Sequence, residues 1–261
     1  MRLAPVMTAM LISILALQAA LPEEATPAES EGGAAEESDW WYGGGLAFMS
    51  KYVSRGVVIS DDPVLQPELH IGYGNASLSL WNNVDLTDYE VAPWRVTETD
   101  WTVDYTFETE AAEYSAGYVY YTFPNLHIDD TQEVYGCVEF DVPLSPAATC
   151  YWDFDELGGI YAAASVCQPV PLGIEAGGEE LSLEWLASIG WGDDKYNGGC
   201  FGDEASGWVD FVVGFEVPVN VGEAVVVTGS LAYMTVLDED LRACTEKSEA
   251  LYGGVAACVE F

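Results

Sequence analysis

"DWTVDYTFE", residues 100–108, alternates two chemistries without a break. Asp100, Thr102, Asp104, Thr106 and Glu108 share one parity, and Trp101, Val103, Tyr105 and Phe107 share the other. Successive side chains of a β-strand point to opposite faces, so the segment reads as a strand with a carboxylate-rich face and an aromatic face. Two environments fit it. In a soluble sandwich the aromatics pack in a core and the acids meet water. In a membrane barrel the aromatics meet lipid and the acids line a wet lumen.

The pattern recurs along the chain. "QPELHIG" sets Gln66, Glu68 and His70 against Leu65, Leu69 and Ile71. "EVYGCVEFDV" sets Tyr135, Glu139 and Asp141 against Val134, Val138, Phe140 and Val142. "ELSLEWLASIGW" opposes Ser182, Glu184 and Ser188 to Leu181, Leu183, Trp185, Ile189 and Trp191, and "WVDFVVGFEVPV" opposes Asp210 and Glu216 to Val209, Phe211, Val213, Phe215 and Val217. Such segments, separated by turn signals, predict about twelve strands. They fall near 41–54, 64–74, 76–85, 97–109, 112–123, 132–142, 147–155, 159–167, 180–191, 208–219, 224–237 and 251–261. An even count brings both ends of an antiparallel barrel to one rim.

Connections alternate in length. "GYGNA", "ETEAAE", "VPLSPAA" and "VPVNVGEA" are short and rich in turn residues, whereas "RGVVISDDP", "DLTDYEVAPWRVTE", "WGDDKYNGGCFGDEASG" and "LDEDLRACTEKSEA" are longer and polar. Short turns on one rim and long loops on the other are the outer-membrane arrangement. "CQPVPLGIEAGGEE" breaks the rule, since it reads as a long connection on the short-turn rim. The final segment, "LYGGVAACVEF", alternates up to Phe261. An aromatic residue closing an alternating strand resembles the signal that hands outer-membrane barrels to their assembly machinery.

Composition narrows the functions. The chain has 261 residues, with 44 acidic against 7 basic side chains and a formal charge of -37. Phosphate backbones would be repelled, which excludes nucleic acid as a partner. Half of the residues are apolar, so the acidity is not that of a disordered chain. Residues 1–19 have the form of an export signal, with Arg2 ahead of an apolar run and small residues near Ala19. Residues 20–39 read as an acidic, disordered tether, leaving 40–261 as the barrel. Six cysteines fit an exported, oxidised protein, but their spacing suggests no zinc site. Cys200 and Cys244 share one rim, so a bridge between them is geometrically reasonable, whereas Cys137 and Cys150 have opposite parities and bridge only if a bulge reverses one face.

Residues 46–56, "LAFMSKYVSRG", followed by "DDPVLQP", resemble the first hairpin of the TorF-like putative porins. In that family the first strand commonly carries a Ser-x-Tyr-Val-x-Arg-Gly segment, matched here by Ser50, Tyr52, Val53, Arg55 and Gly56. "SLSLWNNVDL", "SAGYVYYTFPN" and "EVYGCVEFDVPLSP" also resemble the family's early strands. The resemblance covers most of residues 40–200 and implies an outer-membrane barrel with a passive transport role.

No catalytic constellation stands out. Asp153 and Asp155 lie on one strand with no partner across a cleft, and the two histidines, His70 and His127, accompany no nucleophile motif. "DDKYNGGCFGDE" places Asp193, Asn197, Gly198 and Glu204 at calcium-loop positions, but Lys195 stands where a ligand oxygen belongs. No enzyme activity, cofactor or defined metal site is expected. The expectation is an all-β, antiparallel transmembrane β-barrel in the outer membrane of a Gram-negative-type bacterium. It would form a porin-like, cation-preferring channel for small solutes. Its pore would be lined by Lys51, Arg55, Glu68, Asp100, Asp104, Glu139, Asp141, Asp153, Asp210 and Glu216. Its partners would be outer-membrane lipid, the assembly machinery through Phe261, and small solutes or cations. Two alternatives stay open: a secreted acidic β-sandwich binding carbohydrate or calcium, and a non-conducting structural barrel.

Overall fold

A computed structural model of the chain describes residues 39–89, 91–176, 179–222 and 224–261. The expected export signal and all of the tether except Asp39 lie outside the described residues.

Twelve antiparallel strands close on themselves. In chain order they are β1 (Trp40–Met49), β4 (Val64–Tyr73), β5 (Ala76–Asp85), β6 (Arg95–Glu108), β7 (Ala112–Thr122), β8 (Thr131–Phe140), β9 (Ala147–Asp153), β10 (Ile160–Ala176), β11 (Glu179–Gly192), β12 (Gly207–Val221), β13 (Val225–Val236) and β14 (Glu249–Glu260). Each pairs with its sequence neighbours, and β1 pairs with β14 to complete the ring, in the register Gly45 with Cys258. Beyond the last paired strand residues, Tyr42 and Phe261 exchange backbone hydrogen bonds of 3.1 and 2.9 Å. Both ends of the barrel therefore meet on the short-turn rim.

Along β6 the sequence alternation becomes two surfaces. Asp100, Thr102, Asp104 and Thr106 are buried inside, while Trp101, Val103, Tyr105 and Phe107 are exposed outside. The outer face repeats this on other strands, with Leu69, Ile71, Leu78, Phe215, Leu231, Leu251 and Val255 all open. Aromatic rings gather at both rims. Trp40 packs on Tyr73, Tyr42 on Phe261 and Phe107 on Tyr114 at the short-turn end, with ring centroids 5.1 to 5.5 Å apart. Trp152, Phe154 and Tyr118 cluster at the other end. An apolar band between two aromatic girdles is the outer surface of a barrel that faces lipid.

Two expected boundaries need correction. The first strand does not run from 41 to 54 but ends at Met49. The chain then turns inward as a separate hairpin, β2 (Tyr52–Ser54) and β3 (Val57–Ser60), whose strands pair only with each other. Its turn is Arg55–Gly56, both at positive φ (45° and 83°), as a two-residue type I′ turn demands. Gly56 also has to be small, because a Cβ there would press on Val209, Asp210 and Phe201.

The second correction concerns "CQPVPLGIEAGGEE", which is not a long connection. β10 continues to Ala176 and β11 starts at Glu179, so the segment is a hairpin arm extending past the ends of β8 and β9. Its prolines fit for a physical reason. The Cys167 N–H donates to the Leu144 carbonyl on the β9 side (2.9 Å), and Pro169 and Pro171 share its parity. β9 pairs with β10 only up to Ser165, so the missing proline N–H groups fall on an edge with no strand to receive them.

The long loops carry two helices. In α1 (Asp194–Phe201) Asp193 is the N-cap and accepts from the Tyr196 N–H at 2.8 Å. In α2 (Glu239–Cys244) Asp238 does the same for Asp240 and Leu241. The calcium-loop resemblance at 193–204 thus folds as a capped helix. Its Asn197 is used to hold the loop, donating to the carbonyls of Gly192 and Ala205.

Candidate functional site

The lumen is the candidate site, and its two halves differ. In the long-loop half, the β2–β3 hairpin spans the interior. Tyr52 packs against Trp81 of β5, with ring centroids 5.5 Å apart. Arg55, at the hairpin tip, reaches Glu133 of β8 with two hydrogen bonds of 2.7 and 2.9 Å, a fork-to-carboxylate pair. The Tyr121 hydroxyl donates to the same carboxylate at 2.9 Å. The guanidinium lies 3.8 Å above the Tyr151 ring, and the Tyr196 hydroxyl of α1 donates to the Arg55 carbonyl at 3.1 Å. Tyr135, Tyr151 and Tyr161 sit directly opposite one another on β8, β9 and β10, and the cation lies over two of these rings, 3.8 Å from Tyr151 and 5.5 Å from Tyr161.

From Tyr52 to Gly56 the Ser-x-Tyr-Val-x-Arg-Gly segment is therefore inward hairpin and not wall. Ser50 finishes the pairing with β14, donating its N–H to Gly253 O and accepting the Gly253 N–H on its hydroxyl. Val53 is buried in the interior core with Val209, Phe201 and Leu241. Lys51, at the base of the hairpin, pairs with Asp61, and Lys247 from the loop before β14 reaches the same carboxylate at 2.7 Å. Hydrogen bonds from Lys247 and then from Lys51 hold the Asp61 carboxyl below the usual carboxylate range.

The expected lining residues fall into three groups. Lys51 and Arg55 belong to the hairpin, not to the barrel wall, because the strand they were assigned to ends at Met49. Asp141 lies outside the wall altogether, exposed in the turn after β8. Glu68, Asp100, Asp104, Glu139, Asp153, Asp210 and Glu216 all carry the inward parity of their strands. Several of these are engaged by neighbours. Asp104 accepts from the Tyr135 hydroxyl at 2.5 Å and the Thr106 hydroxyl at 2.7 Å, and Asp210 accepts from Tyr161 at 2.8 Å. Asp153 accepts from Thr131 at 2.6 Å and from the Asp155 and Leu157 N–H groups of its loop.

Other inward oxygens have no protein partner: Glu68 Oε2, Asp100 Oδ1, Thr102 Oγ1, Glu216 Oε1, Thr228 Oγ1 and Ser230 Oγ. His70 stands 3.7 Å from Glu68 through Nδ1, on the inner face. His127 is exposed in a loop. All six cysteines carry free thiols; Cys137 points inward and Cys150 outward on facing strands, as parity requires where no bulge intervenes.

Several inward acids were not singled out from sequence, Glu133, Glu98 and Glu184 among them. Glu133 has the same parity as Tyr135 and Glu139, Glu98 the parity of Asp100, and Glu184 already stood on a polar face. The signal was present in the alternation. What it lacked was any indication that Glu133 would meet the only cation at the hairpin tip.

These features define a β-barrel of the membrane-spanning type: closed, antiparallel, apolar outside and acidic within. Among solved structures the chain is similar to OprB of Pseudomonas putida in a high-pH structure, at 10% sequence identity and a TM-score of 0.34. The match covers 81% of this chain and 61% of that one, so this chain spans less than two thirds of the length of OprB. No protein-family model matches the chain, and no curated protein matches it.

Proposed function

We propose that this chain is an outer-membrane channel of a Gram-negative-type bacterium through which small solutes, cations by preference, diffuse without chemical change. The observation that carries the reading is the set of inward oxygens without protein partners, above all Glu68 Oε2, Asp100 Oδ1 and Glu216 Oε1. A buried, unpaired carboxylate costs several kcal/mol unless water or a cation reaches it. A lumen that admits water and ions would supply both. Acids held between low-dielectric walls then concentrate cations and repel anions.

The apolar outer band supports lipid as the surrounding medium, since a patch of that extent is not tolerated in water. The segment that resembles the TorF-like porins supports kinship with them, and its Tyr52, Arg55 and Gly56 belong to the hairpin inside the barrel. Phe261 is exposed on the outer surface of the short-turn rim, in a position open to assembly machinery.

The filled long-loop half favours a second reading, a barrel that conducts nothing. Planar bilayers separate the two. The native chain should show a reversal potential of cation-selective sign across a KCl gradient, reduced by Glu68→Gln and Asp100→Asn. Replacing residues 51–61 with a short Gly-Ser linker should raise the conductance. Anion preference would sink this assignment of the lumen, and silence of both the native and the linker chain would leave the non-conducting barrel.

A further inference from the structure

On the lumen wall in the short-turn half, four strands bring a row of small and oxygen-bearing residues to one level. Glu184 of β11 lies directly opposite Glu216 of β12, Glu216 directly opposite Ser230 of β13, and Ser230 opposite Gly254 of β14. All point inward. Thr228, one inward position nearer the short-turn rim, stands diagonally beside Glu216. Directly opposed residues on one face of a sheet have Cβ atoms about 5 Å apart, and like charges so placed repel. Neither glutamate has an Arg, Lys or His partner among the described ion pairs.

The oxygens are also shielded. Glu216 is 6% exposed and Thr228 1% exposed. Glu216 Oε1, Thr228 Oγ1 and Ser230 Oγ are each closed off by the surrounding protein without a hydrogen-bond partner in it. Three orphaned oxygens at neighbouring inward positions beside a second carboxylate are hard to account for as packing. The next inward level toward the hairpin is Leu186, Gly214, Ala232 and Tyr252, in which Gly214 and Ala232 carry little or no side chain.

We propose that Glu184, Glu216, Ser230 and Thr228 form a binding site for a hard divalent cation on the lumen wall. Two carboxylates supply the charge, the two hydroxyls supply neutral oxygens, and water completes the shell. Calcium takes six to eight oxygen ligands in flexible geometry and so tolerates such a mixed set. The site rests on the channel reading only in requiring a lumen that ions can enter.

The test uses the full chain, purified in detergent and shown to be folded by its heat-dependent mobility on SDS gels, with calcium titrated calorimetrically after chelation. One saturable site per chain is expected. Glu184→Gln and Glu216→Gln should each weaken it at least about tenfold, since affinity follows ligand charge. Ser230→Ala should weaken it less, and Glu139→Gln, a lumen acid elsewhere on the wall, should leave it unchanged. Absence of saturable binding overturns the proposal, as does an equal loss in Glu139→Gln, which would mean diffuse acidity. If a glutamine variant does not fold, Ser230→Ala against Glu139→Gln decides the matter by the same comparison. Potassium conductance is measured on the same material. A chain that conducts but does not bind calcium ends the site and keeps the channel; one that binds but does not conduct does the reverse.

Discussion

The two halves of the lumen are built from the same alternating strands, yet their charges are treated differently, Asp104 near the short-turn end of β6 being met by Tyr135 and Thr106 as an acid of the other half would be. Toward the long loops, most acids are answered by the protein: Glu133 by Arg55 and Tyr121, Asp210 by Tyr161, Asp153 by Thr131 and its own loop. Asp100 and Glu68, which stand directly opposite Trp81 from either side, are exceptions there, each with one oxygen that no protein group meets. Toward the short turns, Glu216, Ser230 and Thr228 have oxygens that no protein group meets. The strand pattern decides which side chains point inward. What compensates them is decided by the loops, and only the long-loop rim has segments long enough to fold back inside.

The largest effect should come from breaking the answered half. Arg55→Ala strands the buried Glu133 carboxylate and should cost about 3–5 kcal/mol, the usual penalty for removing one partner of a buried pair. Denaturant unfolding in lipid vesicles measures it. Replacing both partners by apolar residues of similar volume should recover much of the loss; if it does not, the ring contacts of Arg55 matter more than its charge.

Next in size is a test of the outer face that both halves share. Val103→Arg should cost about 2–4 kcal/mol near the bilayer midplane, whereas Asp104→Asn, one residue away and inward, should cost under about 1 kcal/mol. Equal tolerance at the two positions would mean the faces are reversed.

A smaller effect is expected in the unanswered half. With divalent cations chelated, Glu216→Gln removes an unpaired charge and should leave stability unchanged or slightly raised. A marked loss would show that Glu216 is already satisfied, and the contrast between the halves would fall.

The smallest effect concerns the contact of Asp61 with Lys51 and Lys247. Because the folded-state pKa of Asp61 is lowered, its contribution is fully present above the ordinary carboxylate range. It is lost progressively as pH falls from that range toward the lowered value. Limited proteolysis of the 237–248 loop by an acid-active protease should therefore be unchanged above the ordinary carboxylate range and increase as pH falls below it. Cleavage that does not change with pH there would argue against the bridge.

The strands and their faces were legible because a period of two is local: Val103 and Asp104 declare their sides within one short segment. The plug was not. "LAFMSKYVSRGVVIS" keeps an apolar alternation across Met49, so the wall reads on through it, and only Arg55–Gly56 marks the turn. The Arg55–Glu133 pair joins residues far apart in sequence, and no local pattern encodes it. The β10–β11 arm was misread for the opposite reason. Pro169 and Pro171 signal a break in any strand whose both edges are paired, and the sequence does not say that one edge is free. In the candidate site, the inward parity of Glu184 and Glu216 was legible, but their direct opposition depends on a register set by the whole barrel.

The prolines of that arm carry one more consequence. A strand that projects past its neighbour offers its edge to any other extended chain, and the outer side of this arm, with Val170, Leu172 and Ile174 exposed, is sticky as well. Pro169 and Pro171 remove the donors at successive positions along that edge, so an incoming strand cannot zip onto it. The arm can thus remain single while the barrel is still assembling, when clumping of unfinished copies is the chief hazard.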